Sequence, residues 1–116
     1  MPMSGEKIVA VIEMYEMRLR AEKVPKMRID PRCTFGGVTE SELLEHAHYL
    51  CEGAKGYARD PAKYGKANRH LTAIQMCLSL ANWYTLAELM EHNRRDGRDA
   101  FSAEEEAVAN KIGLPE

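Results

Sequence analysis

Between Lys55 and His70 the sequence gathers Lys55, Tyr57, Arg59, Lys63, Tyr64, Lys66, Arg69 and His70. Lysine and arginine side chains hold phosphates, and tyrosine rings stack on bases. Just downstream, Asn68, Thr72 and Gln75 carry amide and hydroxyl groups of the kind that read polar edges. Asp60-Pro61 supplies an N-cap followed by proline at a first helical position, and a helix start adds partial positive charge for an anion. The candidate binding set is therefore Lys66 and Arg69 on phosphates, Tyr57 or Tyr64 as a stacking ring, and Asn68, Thr72 and Gln75 on polar edges. Lys26 and Arg28, from a long upstream connection, could cover the ligand. Two plainer readings compete with this one. Lys/Arg clusters at helix ends also serve solubility, and an uncharged polar line on a helix also fixes register between helices.

Other chemistries find less support. Glu45-x-x-His48 is half of a di-iron bundle motif, and the second half is not at the required spacing. His46 and His48 lie about 200° apart on a helix and cannot share a metal. Glu42-x-x-Glu45 and Glu88-x-x-Glu91 bear a partial resemblance to the all-α NTP pyrophosphatases of the MazG-like group. That group holds magnesium against a triphosphate with paired acids on neighbouring helices. The resemblance implies Glu42, Glu45, Glu88 and Glu91 as its acids, although the group pairs Glu-x-x-Glu with Glu-x-x-Asp at a shorter separation. Cys33 has no histidine near it in sequence, and Phe35-Gly36-Gly37-Val38 lacks the lysine of a phosphate loop. The expectation is a binding protein with no catalytic residues, no resident metal and no cofactor.

Net charge over the 116 residues is −2, unevenly placed. Residues 18–35 and 55–70 each carry +4, whereas 36–54 and 88–116 each carry −4 and 1–17 carry −2. Alternating blocks argue against a broad nucleic-acid surface, which needs one dominant basic face. They allow a compact anion site. Three cysteines without zinc spacing fit reduced thiols and a cytoplasmic location. Cys51 and Cys77 fall among core-facing positions. No stretch is long and dry enough for a membrane span.

These residues must be positioned by helices, and the reading is all-α: a helical hairpin or small bundle in a single domain. Ser4 caps a first helix to about Lys23, with Ile8, Ile12, Tyr15 and Leu19 at helical spacing. Residues 24–38 form a long connection. Thr39 and Glu42 make a capping box for a helix with Leu43, Ala47, Leu50, Cys51 and Ala54 on one stripe. A third helix, starting at Pro61 or as late as Lys66, runs to about Ala81, with Asn82 as a left-handed cap. Thr85 with Glu88 opens a short helix, completing a 39–94 unit. Residues 95–116 read as a polar linker and a terminal helix begun by Ser102 and Glu105.

The third helix stands out. Leu71, Ile74, Leu78 and Ala81 make one face and Ala73, Met76, Cys77 and Leu80 another, separated by the line Asn68, Thr72, Gln75, Ser79 and Asn82. No charge occurs from Leu71 to Ala87. A surface helix normally turns a charged face to water, so this one is expected to be buried on more than one side and to carry self-association, with ligand sites at subunit seams. Met14, Met17, Met76 and Met90 read as core or interface filler, and Trp83-Tyr84 as a packing plug at the corner.

The segments Glu45-His46-Ala-His-Tyr-Leu-Cys51-Glu-Gly-Ala54, Lys66-Ala-Asn-Arg-His-Leu-Thr-Ala-Ile-Gln75 and Tyr84-Thr-Leu-Ala-Glu-Leu through His92-Asn-Arg94 resemble a group of small helical proteins of tailed phages and prophages. The likeness covers about residues 45–94; aromatic and glycine positions of that group are His70, Thr72 and Met76 here. It implies an oligomeric phage accessory protein in the cytoplasm of an infected bacterium. By analogy of architecture with the anti-CBASS and anti-Thoeris sponges, it further implies sequestration of a cyclic oligonucleotide or ADP-ribose-type immune signal. The competing expectations are the magnesium-dependent pyrophosphatase and a protein–protein inhibitor with no small ligand.

Overall fold

The computed structural model describes residues 3–94. Among them the secondary structure is all-helical, with four α-helices: α1 Gly5–Ala21, α2 Glu40–Ala58, α3 Tyr64–Leu80 and α4 Leu86–His92. The terminal helix expected from Ser102 lies outside the described residues. Caps set most of the ends. The Ser4 hydroxyl accepts from the Lys7 N–H, and reciprocal capping boxes start α2 at Thr39/Glu42 and α4 at Thr85/Glu88. Lys23 and Asn82 take left-handed backbone angles, φ 57° and 65°, directly after α1 and α3. The third helix starts at neither candidate as an α-helix: Pro61 opens a 3-10 turn, Pro61–Lys63, capped by Asp60, and α3 begins at Tyr64, two residues before Lys66.

Helices α2 and α3 form an antiparallel hairpin, and α1 lies along it. Gly5 abuts Tyr64 and the Ala58 carbonyl, while Tyr15 meets Gln75, so α1 runs in the same direction as α3. Ile8, Ile12, Tyr15 and Leu19 of α1 pack with Leu43, Ala47, Cys51 and Ala54 of α2 and with Ala67, Leu71, Ile74 and Leu78 of α3. A buried ion pair, Lys55 Nζ to Glu16 Oε1 at 2.6 Å, ties α2 to α1. Glycines 53 and 56 do not break α2, because core contacts on its other face outweigh their weak helix propensity.

The 24–38 connection is pinned to α2. The Met27 N–H donates to the Glu45 carbonyl, the Ile29 N–H donates to His46 Nδ1, and His48 Nδ1 donates to the Val24 carbonyl at 2.7 Å. His48 Nε2 is buried with no hydrogen-bond partner among the described residues. Packing within one chain covers helix α3 on one side: its buried positions span an arc of about 160°, leaving Met76 52% and Leu80 48% exposed, so Met76 is not core filler. Met14, Met17 and Met90 are exposed as well, because α1 and α4 each have a single neighbour-facing stripe and these residues fall outside it. No helix among the described residues is long and apolar enough to cross a membrane.

Candidate functional site

At the hairpin tip, Tyr57 sits near the end of α2 and its ring is met by three side chains from the opposite strand of the hairpin. Lys66 Nζ lies 4.5 Å and Lys63 Nζ 5.8 Å from the ring centroid, and His70 approaches edge-on at 5.1 Å. Ammonium groups are drawn to the negative face of a phenol ring. This holds the two lysines together, despite their like charge, at the start of α3. That start carries no acidic residue and no side-chain cap, so its N–H groups add to the positive field. Arg59 and Arg69 are exposed beside it. None of Arg59, Lys63, Lys66 and Arg69 is in an ion pair among the described residues. Asp60, the acid within this segment, accepts from the Ala62 N–H as a cap.

The structure separates the remaining members of the predicted binding set. On α3, Gln75 is about 180° and Asn68 about 200° from Lys66. Gln75 is buried and donates through Nε2 to the Tyr15 hydroxyl at 3.0 Å and to Asn93 Oδ1 at 2.7 Å, while its Oε1 accepts from Asn93 Nδ2. Both ends of the amide are thus taken up inside the protein. Asn68 donates to the Tyr64 carbonyl and Thr72 to the Asn68 carbonyl, each one turn back on the same helix. The Tyr64 ring packs on Gly5 at the start of α1. Lys26 pairs with Glu52 at 3.4 Å, and Glu52 lies on a face of α2 about 140° from Tyr57. Arg28, on the same connection, sits near His46. The connection therefore runs beside α2 away from Tyr57 and does not close over the tip. Its backbone hydrogen bonds to α2, invisible in the sequence, decide that placement.

Three of the four glutamates of the pyrophosphatase-like alternative have other partners. Glu42 and Glu88 complete capping boxes, hydrogen bonds that hold the Glu88 carboxyl below its ordinary range, and Glu91 pairs with Arg94 at 2.6 Å. Among the described residues no three His, Cys, Asp or Glu side chains converge as a metal-binding group. Cys33 is exposed; Cys51 and Cys77 are buried, and burial pushes their thiols up to about 12 and about 11.

Sequence reasoning missed one assembly. Tyr15 Oη lies 2.7 Å from His92 Nδ1, and the same oxygen accepts from Gln75 Nε2. The phenol oxygen thus bridges the Gln75 amide and the His92 imidazole. The Tyr84 ring stands perpendicular to His92 at 4.8 Å and tilted on Tyr15 at 5.5 Å. The Arg18 guanidinium covers Trp83 at 4.1 Å and Tyr84 at 5.0 Å. Burial raises the Tyr15 phenol strongly and lowers His92. The signal for it was a tyrosine on the apolar stripe of α1 and an amide on that of α3, two polar tips that a buried core must pair. Comparison with protein-family models, with curated proteins and with solved structures finds no match to this chain.

Proposed function

We propose that this protein is a non-catalytic binder of a phosphate-bearing, nucleotide-type small molecule, held at the tip of the α2–α3 hairpin. One observation carries the reading: Arg59, Lys63, Lys66 and Arg69 cluster where the 3-10 turn runs into α3, and among the described residues no carboxylate is ion-paired to any of them. Such an arrangement is self-repelling, and a phosphate relieves it. Lys66 and Arg69 take the phosphates with Lys63. A phosphate that draws the two ammonium groups off Tyr57 frees the ring face for a base. Gln75 is committed at both ends of its amide to Tyr15 and Asn93 and takes no part in this reading, whereas the Thr72 hydroxyl, exposed one turn after Asn68, still has lone pairs to offer. The sequence resemblance to small phage proteins extends the proposal to withholding a cyclic oligonucleotide or ADP-ribose-type signal from host defence.

The test is calorimetric titration and thermal shift with cyclic di- and trinucleotides, ADP-ribose derivatives and NTPs, with and without magnesium. Ligand at a hundred times its dissociation constant stabilises the fold by about 2.7 kcal/mol. The expected result is a shift of several degrees with ligand recovered unchanged, lost in Lys66→Glu/Arg69→Glu. Binding that survives that double change, or a magnesium-dependent consumption of NTP, overturns the proposal. Indifference to every nucleotide leaves the protein–protein inhibitor as the reading.

A further inference from the structure

The ridge of α3 that α1 and α2 leave uncovered is uncharged in its middle and oppositely charged at its two ends. Lys66, Arg69, Ala73, Met76 and Leu80 fall within an arc of about 80° on that helix. Ala73 is half-buried, and Met76 and Leu80 stand half-exposed where a surface helix ordinarily presents charge. The upstream end of the ridge carries Lys66 and Arg69. At the downstream end, Asn82 Nδ2 donates to Glu40 Oε1 at 2.7 Å, which sets a carboxylate beside the end of α3. Within its own chain Glu40 has no cationic partner among the described residues.

We infer that a second copy of this chain docks on this ridge, antiparallel and about a two-fold axis. A two-fold interface must be self-complementary, and a ridge that is positive at one end, apolar in the middle and negative at the other meets that requirement when two copies lie head to tail. With the axis between Ala73 and Met76, Met76 packs on the partner's Ala73 and Leu80 on the aliphatic stem of the partner's Arg69. The basic end then faces the partner's Glu40. The small Ala73 lets the two helices approach closely. A foreign protein lacking this mirrored pattern has no such match. Met76 lies about 15 Å along the helix from Lys66, so Met76→Glu alters the apolar contact alone, whereas Lys66 and Arg69 belong both to this contact and to the proposed phosphate site.

Sedimentation equilibrium of the full chain, read against concentration and salt, tests this. The wild type is expected to be a dimer whose dissociation constant rises with ionic strength. Met76→Glu is expected to be monomeric with an unchanged helical circular-dichroism spectrum. Glu40→Lys is expected to weaken the dimer about tenfold, since symmetry places the change at both ends. The combination Glu40→Lys/Lys66→Glu is expected to restore it. A wild type that stays monomeric at about 100 μM, where a micromolar dissociation constant would leave mostly dimer, a Met76→Glu variant that still dimerises, or a charge swap that fails to recover association overturns the inference.

Discussion

Tyr15 is the residue on which three elements converge, since its hydroxyl accepts from Gln75 and hydrogen-bonds His92 Nδ1. Tyr15→Phe removes that bridge and leaves the Gln75 amide and the His92 ring each short of a partner. The expected loss is about 1–3 kcal/mol of unfolding free energy, measured by urea denaturation. His92 has a sharper signature. Burial lowers its folded-state pKa below the ordinary value of 6.5, so the unfolded chain takes up a proton before the folded one does. Its contribution to stability is present above pH 6.5 and is lost as pH falls below that value toward the folded pKa. His46 is lowered in the same way, by burial first and then by Arg28, and adds to the same slope. His92→Gln keeps a polar side chain without the titration, and is expected to flatten the decline in melting temperature between pH 7 and pH 5; an unchanged slope would assign the acid sensitivity elsewhere.

Among elements, Gly5 of α1 and Gly56 of α2 separate two physical roles. A Cβ at Gly5 would collide with the Ala58 carbonyl and press on the Tyr64 ring. Gly5→Ala is therefore expected to force α1 off the hairpin and destabilise the fold by about 1–3 kcal/mol. Gly56 is helical with open space around it, so Gly56→Ala is expected to stabilise by about 0.5–1 kcal/mol. Paired melting curves of the two variants check both signs at once. Helix α3 offers a related contrast. Lys66 opposes the dipole in its first turn, but its ammonium also lies 4.5 Å from the Tyr57 ring, effects of similar size and opposite sign, so Lys66→Glu is expected to change stability by less than about 0.5 kcal/mol while lowering affinity for phosphate-bearing ligands. A variant of near-native stability that binds less would mark the lysine as serving the ligand and not the fold; unchanged affinity would remove it from the site.

For the whole molecule, the buried thiols report cooperative unfolding. In native protein, the exposed Cys33 is expected to react promptly with a thiol reagent, whereas Cys51 and Cys77, buried and with raised pKa values, react only as the bundle opens. Three prompt equivalents would contradict the packing described. Sequence alone determined the helices and most of their ends, because caps such as Thr39/Glu42 and Thr85/Glu88 and stripes such as Ile8, Ile12, Tyr15 and Leu19 are local patterns with local causes. It also determined that basic charge gathers between Lys55 and His70. The tertiary structure alone decided which side of α3 is covered, since periodicity gives an angle around a helix and says nothing of how many neighbours meet it. Met76 and Leu80 were thereby left outside, and Gln75 was turned away from the tip toward Tyr15. The same packing pinned residues 24–38 along α2, so that Lys26 joined Glu52. Those outcomes rest on contacts between residues far apart in the chain, such as Tyr15 with His92 and Ile29 with His46, whose partners no local spacing specifies.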